Sequence, residues 1–254
     1  MERINIWYSN HILGKKKIVS VLLLAFVLLL PQKPATAQGI NKPFYDYSRR
    51  IHFGFTIGSS FSRIKYDFSP KWYTQDTFAY VNSLGYPGIT LGAVANLHIG
   101  STRSYLREHF DIRLIPSLVL AERRIRYTYY DTFAEEKKVE SALVEAPLLM
   151  KFKSERFRNL RFYVIGGAKY SFDLSSDYKA APNPSDPKLI LKPHNFSYEY
   201  GTGLDIYFPF FKFSPEVRVS KGLNNILKTD GTDYSTIFSR FRSNFVYFSL
   251  YFEG

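Results

Sequence analysis

The chain of 254 residues has no cysteine. Disulfides, thiolate metal sites, a cysteine nucleophile and a lipoprotein anchor are therefore excluded together. It also has no apolar run of the ~20 residues that a membrane-crossing helix needs. The run Ile18 to Leu30 carries no charge, but it is only 13 residues long. It follows Lys15, Lys16 and Lys17, and it precedes the small-x-small site Ala35-Thr36-Ala37. This arrangement predicts a cleaved secretory signal peptide over residues 1–37, with Gln38 as the new N-terminus. Catalytic signatures are missing as well. Ser104, Ser117 and Ser235 have no Gly-x-Ser-x-Gly context, there is no phosphate loop, and no spacing implies a metal or a cofactor. Asp230 and Asp233 flank Gly231 in what reads as turn chemistry.

Acidic residues are also in deficit. Of 34 Lys and Arg, five lie in residues 1–37; of 22 Asp and Glu, one does. The mature chain keeps 29 against 21, a net charge of +8. Behind an export signal, this excess points to lipopolysaccharide phosphates or acidic partners rather than to nucleic acid. Aromatics are abundant, with 20 Tyr and 23 Phe.

What the mature chain does have is a period of two. In Gly88 to Ile99 the odd positions are apolar and the even ones small or polar, except Val94. Alternation of this kind gives a strand one greasy and one polar face. After a lead-in at 38–50, eight such strands are expected: His52–Ile64, Gly88–Ile99, His109–Tyr130, Val139–Lys153, Leu160–Ser175, Asn195–Phe208, Phe211–Lys221 and Arg242–Phe252. The third is long enough to hide a turn near Arg123-Arg124. Long connections (Lys65–Pro87, Arg123–Lys138, Ser176–His194, Gly222–Phe241) alternate with short ones. The expected architecture is an eight-stranded antiparallel up-and-down β-barrel over residues 51–254, in the outer membrane, with long loops outside and short turns in the periplasm.

A barrel this small is filled by its own side chains. The inward parity collects Asp111, Arg113, Glu145, Lys151, Arg161, Lys169, Glu199, Asp205, Glu216 and Arg218, five acids and five bases. The balance predicts a salt-bridged interior; a gated proton or ion path is the alternative. His52 and His98 read as polar residues at the periplasmic mouth, with a metal or proton site near His109 and Asp111 as the other reading. In the third outer loop Pro182, Pro184, Pro187 and Pro193 stiffen a segment charged by Lys179, Lys188 and Lys192. That segment reads as a surface for a protein partner or for lipopolysaccharide phosphates, or as a plain solvated loop.

Three segments carry a family resemblance. Val144-Glu145-Ala146-Pro147-Leu148-Leu149-Met150-Lys151-Phe152-Lys153 resembles the E-x-P-L-L-x-K strand of small Bacteroidetes outer-membrane barrels. The segments Lys192–Pro209 and Phe211–Leu223 are similar to the PorT family of the type IX secretion system, and the likeness extends from Arg49 to Gly254. It implies a non-enzymatic accessory in export of sorting-domain cargo, such as proteases, adhesins and gliding proteins, alongside other secretion subunits. It brings no catalytic residues. The chain departs from the terminal aromatic of barrel insertion signals, because Glu253 and Gly254 follow Phe252. A structural or lipopolysaccharide-binding barrel without a secretion role is the second reading.

Overall fold

The computed structural model describes residues 49–100, 105–130, 133–176, 189–229 and 233–254. The expected signal peptide and nearly all of the lead-in lie outside these residues. The described residues form nine strands: β1 (Ile51–Phe68), β2 (Phe78–His98), β3 (Phe110–Leu114), β4 (Ser117–Tyr129), β5 (Ala134–Lys153), β6 (Leu160–Asp173), β7 (His194–Tyr207), β8 (Lys212–Gly222) and β9 (Phe238–Glu253). All pairings are antiparallel, and β1 pairs with β9, so the sheet closes on itself. Strands β3 and β4 pair with the same two neighbours, β2 and β5. They form one wall strand broken at Ile115-Pro116, where proline has no N–H for the ladder. The barrel wall thus has the eight staves expected, and β4 runs through Arg123-Arg124 without a turn.

The outward face is apolar across the membrane. On β1 the exposed residues Ile51, Phe53, Phe55, Ile57 and Phe61 alternate with buried His52, Thr56, Ser60 and Ser62. Ile51 to Phe61 is about 33 Å of strand, and a tilt of roughly 40° reduces this to about 25 Å of height, the thickness of a lipid-facing band.

Two of the expected long connections are mostly wall. Residues 65–87 are strand apart from 69–77, which holds a 3-10 turn at Pro70–Tyr73, and the described residues of 123–138 are strand apart from Tyr130 and Phe133. The alternation inverts above the lipid band. Outward positions become charged (Arg63, Lys65, Glu122, Arg124, Glu136), while Ile64, Val81, Ile125 and Tyr127 turn inward and are buried. The wall there stands in water, so its dry face is the inner one. Strands β6, β7 and β8 stop lower, at Asp173, His194 and Gly222. The wall is therefore tall on β9, β1, β2, β4 and β5 and short elsewhere. Of the expected short turns, 154–159 and 208–211 are short, whereas the β2–β3 turn carries helix α1 (Tyr105–His109).

Candidate functional site

The lumen is filled in three tiers. At the end holding both barrel termini, the Asp111 carboxylate gathers His98 Nδ1 at 2.5 Å, Lys153 Nζ at 2.8 Å and Asn96 Nδ2 at 2.8 Å. The His52 ring meets the His98 ring edge-on at 4.9 Å, and His109 Nδ1 donates to the Lys153 carbonyl at 2.8 Å. Among the described residues no three His, Cys, Asp or Glu side chains converge as a metal site.

In the middle tier Arg113 bridges Glu216 at 3.1 Å and Glu253 at 2.7 Å. Glu253 also takes Lys212 at 2.8 Å. Both Asp205 oxygens accept from Lys151, at 2.8 and 2.7 Å, and Ser214 Oγ donates to the same carboxylate at 2.6 Å. Tyr163 and Tyr251 donate to Glu216 at 2.9 and 3.0 Å. The third tier joins Lys169 to Glu145 at 2.9 Å and Glu199 at 3.0 Å, and Arg218 to Glu199 at 3.1 Å. Tyr247 donates to Glu145 at 3.0 Å. Arg218 also lies 3.5 Å from Glu216, which links the two tiers.

All ten sequence-selected interior charges are buried on the lumen side. Nine enter these clusters; Arg161 stands opposite Asp205 in the β6–β7 ladder. Five further charged residues are buried here: Asp173 and Lys212, which strand parity places on the polar faces but outside the set of ten, and Arg123, Lys153 and Glu253, which the sequence reading missed. With them the buried set among the described residues is seven acids and eight bases, still close to neutral. Inward parity was the signal that would have found the last three. Lys153 sits two residues beyond Lys151, and Glu253 two beyond Tyr251. Glu253, read as a tail after the last aromatic, is a buried counter-ion of the plug.

Above the polar tiers the outer end is capped by an apolar cluster. Ile64, Phe78, Ile125 and Phe241 from the tall wall pack with Leu189, Leu191, Ile226 and Leu227 from the loops. The two loops are tied by a bridge between Leu191 and Leu227, with Lys192 N donating to the Ile226 carbonyl at 2.7 Å. Of the expected partner loop, Lys179, Pro182, Pro184, Pro187 and Lys188 lie outside the described residues. Lys192 presents its side chain to solvent, and the Pro193 carbonyl accepts from Asp173 N at 2.9 Å. On the last loop, helix α2 (Asp233–Thr236) brings the Tyr234 hydroxyl to Glu135 at 2.7 Å and Tyr129 at 2.9 Å. Burial pushes the Tyr234 hydroxyl up, and both bonds act in the same direction. Lys137, 2.6 Å from Glu135, is the main reason that carboxyl lies below the ordinary carboxylate range.

Among the described residues this interior is a plug with a lid, its clustered carboxylates engaged by ammonium, guanidinium, imidazole and phenol groups.

Solved structures similar to this chain include the outer membrane protein OprG from Pseudomonas aeruginosa, 15% identical, TM-score 0.43, covering 80% of this chain and 93% of that one. Neisserial surface protein A is 9% identical, TM-score 0.39, covering 78% and 95%. Ail, the attachment invasion locus protein of Yersinia pestis, solved with the heparin analogue sucrose octasulfate, is 13% identical, TM-score 0.36, covering 81% and 100%. No curated protein matches the chain. The model of the outer membrane protein beta-barrel domain matches residues 36–228. With its closed antiparallel wall and lipid-facing band, this chain belongs to that outer-membrane β-barrel family.

Proposed function

We propose that this outer-membrane barrel is a non-enzymatic accessory of type IX protein export, needed for secretion and maturation of sorting-domain cargo. The filled lumen is the observation that carries the reading: a barrel without a passage supports export by contact, not by conduction. The PorT-like segments support it further. They form most of β7 and β8 and supply Glu199, Asp205, Glu216 and Arg218 to the plug. Contacts with secretion subunits then fall to the rims and to the Asp177–His194 loop.

A clean deletion tests the proposal, with cargo secretion scored beside detergent sensitivity. Cargo held in the periplasm behind an intact envelope is the expected result. Normal secretion overturns the export role. Normal secretion with a leaky envelope would favour a structural or lipopolysaccharide-binding barrel.

A further inference from the structure

Above the lipid band the outer wall has two charged faces of different character. On β4 and β5 every outward cation has a carboxylate. Glu136 takes Arg126 and Arg124, Arg124 also bonds Glu122, and Lys138 lies 3.2 Å from Glu122 and 2.5 Å from Glu140. On β8, β9 and β1 the balance is lost. Arg63, Lys65, Arg240, Arg242 and Lys221 all face outward. Asp67 is the one carboxylate on this wall face among the described residues, and Arg242 holds it at 2.8 Å. Lys65 stands directly opposite Arg242 in the ladder. Like charges so placed repel, and an external anion relieves them.

Height and surroundings specify the anion. Phe61 and Val246 end the apolar band, and Arg63 and Lys65 are the next outward positions on β1. Each step of two residues rises roughly 5 Å along a tilted strand, so Arg63 and Lys65 sit about 5 and 10 Å above the band, at headgroup level, with Arg240, opposite Asp67, one step higher. This is the outer side, because the short turns 154–159 and 208–211 lie at the opposite end, with both barrel termini. Below Phe61 and Val246, the same strands together with β6 and β7 line an apolar depression of about 660 Å³, whose walls include Ile57, Phe162, Leu204, Pro215, Val217 and Phe248. Cations over an apolar trough fit an amphiphile, not a free ion.

We infer that the β8–β9–β1 face binds a phosphorylated glycolipid of the outer leaflet, with its phosphates on Arg63, Lys65 and Arg240 and an acyl chain in the depression. The inference stands whether or not the barrel serves export.

The test uses the full mature chain in detergent, titrated with diphosphoryl lipid A and read by native mass spectrometry. The variant Arg63→Gln/Lys65→Gln/Arg240→Gln is compared with Arg124→Gln/Arg126→Gln/Lys138→Gln, which removes the same charge from the self-neutralised face. Heat-dependent gel mobility verifies that each barrel is closed, and Lys65→Gln alone serves if the triple variant is not. The expected result is at least tenfold weaker binding for the first variant and less than twofold for the second, with dephosphorylated lipid A binding wild type as weakly as the first variant binds the diphosphoryl form. Equal losses in both variants, or equal affinity for the dephosphorylated lipid, overturn the site. So does full displacement of the lipid by millimolar pyrophosphate, which would indicate a general anion site, or by polyglutamate, which would indicate an acidic protein partner.

Discussion

Lys151 and Asp205 show how the interior depends on pairing. The ammonium is held by both carboxylate oxygens and lies 3.7 Å from the centroid of the Tyr163 ring, with no exposure. Removing one partner of such a pair leaves a buried charge uncompensated, which costs about 3–5 kcal/mol. Asp205→Leu is therefore expected to lower stability by about that much, and Lys151→Met/Asp205→Leu to recover most of it. Urea unfolding of the vesicle-inserted barrel measures both; a double variant no better than the single would show that the pair is not the unit of stability. Outside the lipid, Glu135 and Tyr234 make a pH-sensitive contact. The Glu135 carboxyl is lowered in the fold, first by Lys137 and then by Tyr234 and Tyr129. Its stabilisation is thus present above the unfolded value of about 4.3 and is lost as pH falls through the lowered folded value. Protection of the outer-cap amides, taken relative to their intrinsic exchange rates, should fall in acid, and Glu135→Gln should flatten that dependence. An unchanged profile would remove this contact from the cap's stability.

At the level of elements, the seam between β1 and β9 sets a strict packing requirement. A Cβ on Gly58 would lie 2.4 Å from the Phe248 carbonyl oxygen and 3.0 Å from the Ser249 Cα. Backbone cannot yield at a closing seam as a flexible side chain can. Gly58→Val is expected to abolish the heat-shifted gel band of the closed barrel; a normal band would show that the seam adjusts. Strand positions in the membrane were legible from parity, because lipid enforces one apolar face over a fixed thickness. The tall outer wall was not. There water moves the apolar face inside, so Lys65 with Tyr66, or Asn82 with Val81, reads as a loop to anyone expecting greasy residues outward. The break at Ile115-Pro116 was equally hidden, since side-chain parity continues on both sides of it.

For the whole molecule, a neutral plug beneath an apolar cap predicts a barrel that does not conduct. In planar bilayers the purified protein should show no unitary steps above baseline; regular steps would mean the plug moves aside, and the export reading would lose its main support. The lumen charges were legible as a set of ten, since inward parity and charge balance are properties of single strands. Their partners were not. Arg113 on β3 meets Glu253 on β9 across the closed barrel, and no local pattern relates positions so distant in the chain.

The sequence by itself determined the membrane, the all-β class and, within the lipid band, the side of the wall each residue occupies, because alternation is a local property of extended backbone facing two different solvents. Only the tertiary structure decided which acid meets which base, that Glu253 belongs to the plug, and that the outer cations gather on one face over an apolar trough. Those depend on register and closure, which are set between strands rather than within them.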